Sequence, residues 1–305
     1  MGVGLHHNKE DSMSFQTSAL RKQFVETLKL RDLSERTCES YLWAVDGLAK
    51  HFGRSPSRLT EEEVRSYLIY CMEKRNFASS SMRIVYSGIK QLYRNVLNKD
   101  WDLLSLLRVK PDHRLPTVLT HAEVKKVLSH LGPRHNYILV FTLYSLGLRL
   151  NEGLNLQVSD IDRERMLVHI RHGKGSRDRY VPLPVKTLEL FGEHWRRHQN
   201  PTLLFPSLGR FGDNPQKSKT PMSAQTIQEA MRRAVTAAKL NKQRVSSHTL
   251  RHSYATHLLE GGASLKCIQQ YLGHANIETT MLYLHMTTVS EQDCRKIIND
   301  LTGRL

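Results

Sequence analysis

Long apolar runs are missing from this 305-residue chain. A membrane-spanning helix needs about 20 consecutive apolar residues. The longest candidate, YILVFTLYSLGL ahead of Arg149, already carries Thr142 and Ser145. The first residues, MGVGLHHNKEDSM, lack the basic head and apolar block of a secretory signal. Cysteine is scarce. Cys38, Cys71, Cys267 and Cys294 lie far apart and form no CxxC pair. That argues against a disulfide framework or a zinc ribbon and leads us to expect reduced thiols in the cytoplasm. Several enzyme signatures are also missing. HGKGS lacks the leading glycine of a phosphate loop and carries Gly175 after its lysine, and no GxSxG or HExxH occurs.

Negative charge is the other deficit. Lys plus Arg number 45 against 29 Asp plus Glu, which leaves 45 − 29 = +16. Such an excess favours a polyanionic partner through phosphate neutralisation and counterion release. The basic residues run along the whole chain, so a folded surface against nucleic acid is expected rather than a basic arm.

The length suits two domains. Residues 1–13 are polar and without periodicity, and are expected to be a mobile lead-in. From 14 to 104 the pattern is helical. Tyr41, Val45, Leu48 and Phe52 mark one helix face, capped by Ser34 and ended near Gly53. LTEEEV offers a capping box at Thr60 and Glu63, with Leu59 and Val64 as its staple. A further helix, SMRIVYSGIKQLYRNVL, suggests Ile84, Ile89, Leu92 and Val96 as core, giving a bundle of about four helices. The stretch 105–116, with Pro111 and Pro116, reads as a linker. A second domain, 117–305, opens on LTHAEV, which repeats the box at Thr120 and Glu123 and the staple at Leu119 and Val124. MLVHI and RYVPLP are β-type runs around a basic hairpin, RHGKGSRD. Helical spacing then resumes, broken by a loop over 206–221. The expected fold is therefore mainly α with a small β-sheet.

One constellation is unusual for a core. Arg149 follows an apolar helix, where a buried guanidinium is costly without an anion. His248 and Arg251 share a helix face at i and i+3. Lys174 lies at the tip of the hairpin, His274 follows Gly273 at a turn, and Tyr283 comes nine residues later. Two arginines, a lysine and two histidines without a matching carboxylate cluster suit a phosphate. Arg171, Arg177 and Arg179 compete with Lys174 for the hairpin role, and Tyr271 is a local rival of Tyr283, although it shares a core face with Ile268 and Leu272. Glu152 is expected to orient Arg149. His252 is expected to hydrogen-bond within the fold or to support the site without touching the reacting groups. His248, His252 and His257 do not suggest a metal, because Arg251 intervenes and no carboxylate or cysteine follows at suitable spacing.

SLGLRLNEGLNL, SHTLRHSYATHLLEGG, YLGHANIETTMLYLH and the hairpin GKGSRDRYVPLP together resemble the tyrosine recombinases of the phage integrase family, most closely its Xer-type and transposon-borne members. The resemblance spans nearly the whole chain. It implies an N-terminal SAM-like core-binding bundle and an α-rich catalytic domain. It also implies a site-specific recombinase or integrase that cuts and rejoins DNA through a 3′-phosphotyrosyl intermediate, without metal, ATP or other cofactor. Tyr283 would be the nucleophile, Arg149 and Arg251 the phosphate grip, His248 the base, Lys174 the general acid, and His274 a hydrogen-bond donor to the phosphate. The implied partner is double-stranded DNA at a specific site, held by a homotetramer, with neither membrane nor small-molecule substrate. The short apolar face Ile297, Ile298 and Leu301 would dock on a neighbouring subunit. On this resemblance no arm-type DNA-binding domain is expected ahead of the bundle, and the interval before HTLRH is too short for the insertion of integron integrases. A type IB topoisomerase-like activity and a non-cutting DNA-binding accessory protein are the competing readings.

Overall fold

The computed structural model describes Phe15 and residues 18–106, 116–171, 178–209, 214–242, 245–274 and 276–284. The chain divides into two compact units, Met1–Arg114 and Leu115–Leu305. The lead-in 1–13, the hairpin tip with Lys174, most of the linker and the tail carrying Ile297, Ile298 and Leu301 lie outside the described residues.

The first unit is helical among the described residues. Its helices are α1 (Ala19–Leu30), α2 (Glu35–Phe52), α3 (Glu61–Glu73), α4 (Ser79–Asn95) and the short α5 (Asp102–Leu106), one more than the sequence suggests. Ser34 caps α2, and Gly53 ends it at φ +63°, a left-handed position that glycine takes without strain. The expected capping box at Thr60 and Glu63 opens α3, with both staple residues, Leu59 and Val64, buried. The helices α2 and α4 pack together. The buried stripe of α4 is Met82, Val85, Ile89 and Leu92, continuing to Tyr93. Ile84, expected in that core, is only half-buried, because a 3.6-residue stripe through Val85 and Ile89 turns position 84 to its flank.

The second unit begins with α6 (His121–Ser129), α7 (Arg134–Ser145) and α8 (Leu150–Leu154). The box at Thr120 and Glu123 forms at the start of α6. A three-stranded antiparallel sheet follows, in the order β1 (Ile161–Asp162), β2 (Leu167–Ile170), β3 (Arg179–Pro182). Val168 pairs with Val181 and Ile170 with Arg179. The two-residue β1 is too short to leave a period in the sequence. Then come α9 (Val185–His198), α10 (Ala224–Ala237), α11 (Ser247–Glu260), α12 (Leu265–Leu272) and α13 (Glu278–Met281). The main core joins Leu139, Leu143, Val168, Val181, Phe205 and Leu250. The helix α11 packs on both α7 and α12, and β3 meets α12. Those contacts bring the motif-bearing segments to one place. Among the described residues no helix is long and apolar enough to cross a membrane.

Candidate active site

Five segments supply the site. The apolar helix α7 ends at Leu146, and Gly147 then turns the chain at φ +60°. Arg149 follows as the residue that opens α8. Its backbone N–H donates to Glu152 Oε2 at 2.8 Å and its Nη1 to Oε1 at 2.7 Å. Glu152 therefore orients Arg149, as the spacing suggests, but its role is wider. Arg179, on β3, donates Nη1 and Nη2 to the same carboxylate at 3.1 and 2.8 Å. Arg251 Nη1 lies 3.7 Å from it. One carboxylate, 7% exposed, thus faces three guanidiniums. Burial alone would push its pKa up. The hydrogen bonds and charge of Arg179, the Arg149 N–H and the charge of Arg251 outweigh that and bring it down to about 2. The compensating anion is Glu152, expected from the sequence to orient Arg149 alone, and three cations against one anion still leave the site positive.

Arg251 is buried on α11. Its Nη1 donates to the Gly147 carbonyl at 2.7 Å and its Nη2 to the Leu272 carbonyl, tying α11 to the end of α7 and the end of α12. Burial, with Arg149 adding, lowers it to about 10, so it stays charged at neutral pH. His248 stands one turn earlier, at the exposed start of α11. Partial desolvation and then the charges of Arg251 and Arg149 depress its pKa.

Gly273 closes α12 at φ +62°. A Cβ there would press on the Arg179 side chain at 3.1 Å, so glycine lets the two approach. His274 follows, with Nδ1 2.9 Å from Thr280 Oγ1. Burial, then Arg251 and Arg149, lowers its pKa to about 4, so the ring is neutral. When Thr280 donates to Nδ1, the ring proton is on Nε2, and that tautomer can donate to an oxygen acceptor. Tyr283 is 1% exposed. Its ring faces His274 at 6.3 Å between centroids, and its hydroxyl lies 3.0 Å from His252 Nδ1. Burial raises the phenol's pKa, against the charges of Arg251 and Arg149.

Of the six candidates, Arg149, His248, Arg251, His274 and Tyr283 are brought together, and Lys174 lies outside the described residues. Two further residues join them. His252, expected to hydrogen-bond within the fold or to support the site, hydrogen-bonds with the Tyr283 hydroxyl. Arg179, weighed only as a competing hairpin charge, is buried in the network; the alternation of β3, which sets Arg179 beside Val181 on its buried face, carried that signal. Arg179 Nε also donates to the Tyr271 carbonyl at 2.7 Å. Tyr271 itself packs half-buried against the main core.

His248, His252 and His257 do not gather as ligands. Among the described residues the group that does is His121, His257 and Glu260. Its two rings stack at 3.7 Å and 22°, so their in-plane lone pairs run side by side instead of converging on one cation. The Tyr144 hydroxyl faces Nδ1 of both.

Residues 117–289 match the phage integrase family, and residues 20–103 match the phage integrase N-terminal SAM-like domain. The chain is 33% identical over 285 residues to a putative integrase/recombinase, y4qK, of Sinorhizobium fredii, covering 93% of this chain and 89% of the relative. It is 31% identical over 296 residues to the tyrosine recombinase XerD of Yersinia pestis, covering 90% and 95%. Its fold is similar to that of a XerH site-specific recombinase solved bound to difH substrate, with TM-score 0.67 and 21% identity over 93% of this chain and 84% of that one. The fold, the matched domains and these relatives agree: the chain belongs to the phage integrase family of tyrosine recombinases.

Proposed function

We propose that the protein is a site-specific DNA recombinase that cuts and rejoins duplex DNA through a 3′-phosphotyrosyl intermediate, acting in the cytoplasm. The supporting observation is the position of buried Tyr283, its hydroxyl on His252 and its ring facing His274, in the field of Arg251 and Arg149. Tyr283 attacks the scissile phosphorus. Its proton passes to His248, and the P–O5′ bond breaks as Lys174 protonates the departing oxygen. Arg149 and Arg251 take the non-bridging oxygens, and loss of one such donor typically costs about 100- to 1000-fold. His274 adds a neutral hydrogen bond. The phosphotyrosyl link conserves the bond energy, so a partner strand's 5′ hydroxyl can reverse the step. A core-binding module (14–104) and a catalytic module (117–305), joined by the linker 105–116, each contact duplex DNA. Four subunits act together on two synapsed duplexes.

Covalent trapping tests this. The protein is incubated with nicked duplexes drawn from its own genomic neighbourhood, and denaturation-resistant adducts are resolved. An adduct lost in Tyr283→Phe is expected. An adduct surviving in that variant would move the nucleophile, with Tyr271 next in line. Relaxation of plasmids lacking any defined site would favour the topoisomerase-like reading.

A further inference from the structure

A phenol sealed from water needs a partner for its proton. Tyr283 finds it on α11, at the residue directly after Arg251. His252 Nδ1 lies 3.0 Å from the hydroxyl, and the two rings meet at 5.8 Å and 52°. The contact bridges 31 residues of sequence and, apart from packing, is the tie from the hydroxyl to the helix that carries His248 and Arg251. His252 is held neutral. Burial, with the charges of His248 and Arg251 adding, lowers its pKa to about 4. Tyr283 is held un-ionised, because burial raises its pKa above the usual 10. Among the described residues the buried hydroxyl has no other acceptor, so it donates and Nδ1 accepts, which places the ring's own proton on Nε2. Full transfer in the resting protein is disfavoured, because burial opposes charge on both the imidazole and the phenol. The contact therefore fixes the hydroxyl without ionising it.

We propose that His252 is a positioning residue for the nucleophile: by accepting the Tyr283 hydroxyl's hydrogen bond at Nδ1, it stores the phenol intact and aimed among the guanidiniums until a phosphodiester arrives. This rests on reading Tyr283 as the nucleophile. No bond changes at His252. It fixes where Oη starts, and misplacement of a reacting atom by about 1 Å can cost about 100-fold in rate.

Two side chains separate this role from bulk packing. Asn puts an amide oxygen close to where Nδ1 stood and accepts the same hydrogen bond, but it cannot take up a proton. Leu fills the space and accepts nothing. On one nicked duplex, four proteins are compared for adduct rate and duplex affinity: wild type, His252→Leu, His252→Asn and Tyr283→Phe. We expect His252→Leu to bind the duplex within about twofold of wild type but to form the adduct about 100-fold more slowly. His252→Asn should recover most of that loss. A second readout needs no cleavage: nitrogen NMR of the His252 ring in the DNA-free protein should show a neutral ring protonated at Nε2, with the Nδ1 signal shifted in Tyr283→Phe. Wild-type rates in His252→Leu would overturn the proposal. So would Asn being as slow as Leu, which would make His252 a proton acceptor instead, or a ring protonated at Nδ1. An adduct that persists in Tyr283→Phe would overturn both this role and the nucleophile assignment. If wild type forms no adduct, the functional reading falls, and the ring readout still decides the hydrogen bond.

Discussion

Glu152 is the residue on which the site's electrostatics turn. Its carboxylate accepts from Arg149 and Arg179 and lies beside Arg251. Removing one partner of a buried ion pair leaves uncompensated charge and typically costs about 3–5 kcal/mol. Here three cations lose their common anion. Glu152→Gln should therefore lower the melting temperature by about 10 °C, at roughly 2–4 °C per kcal/mol for a unit of this size. A melt indistinguishable from wild type would show the carboxylate to be dispensable. The acid dependence has a definite sign. The folded value, about 2, lies below the ordinary 4.5, so the stabilisation is complete above the unfolded value and is lost as pH falls through the folded one. It amounts to about 3 kcal/mol, and the gap in stability between wild type and Glu152→Gln should narrow from about pH 5 downward. Chemical denaturation at stepped pH reads this directly. The pairing of Glu152 with Arg149 is visible in the sequence, since three residues separate them. The pairing with Arg179 is not: it joins α8 to β3 across 27 positions, which only the tertiary fold brings together.

At the scale of elements, the site depends on how α7 ends. Gly147 sits at φ +60°, its carbonyl accepts from Arg251, and a Cβ there would come within 2.6 Å of Tyr254 Cε1. Gly147→Ala combines left-handed strain with overpacking, each worth about 1–3 kcal/mol. We expect a melting temperature lower by about 5–10 °C and, well below the melt, adduct formation slowed by more than the folded fraction explains, because the carbonyl that steadies Arg251 moves. A rate that simply follows the folded fraction would contradict this. Local order of this kind was legible wherever cause and effect lie within a turn. The boxes at Thr60 and Thr120 and the stop at Gly53 each involve residues three apart or fewer. So was the helical character of α9 to α12, through their periodicity. The hidden parts follow from contacts between distant segments. Ile84 loses the core to Val85 because the facing helix selects the stripe. His252 reaches Tyr283 across 31 residues, and no spacing rule relates a helical residue to one beyond two further helices.

For the molecule as a whole, net charge is the dominant property. An excess of +16 spread over the chain predicts duplex binding dominated by counterion release. Six to ten phosphate contacts would weaken affinity by about 10³- to 10⁵-fold between 50 and 200 mM salt. Fluorescence anisotropy on a labelled duplex across that range tests it, and an affinity indifferent to salt would mean that the basic surface does not engage phosphates. Tyr283, meanwhile, lies outside the main core. It shares a small cluster with Ala255, Ile268 and Leu272 and hangs beyond a four-residue helix. Few buried apolar contacts mean a low free energy of local opening. With Tyr283 in its proposed role as nucleophile, cutting competence and foldedness are separate populations. A molecule whose last described turn has swung away would still melt at the same temperature, still hold DNA and still be counted as native, yet contribute nothing to turnover.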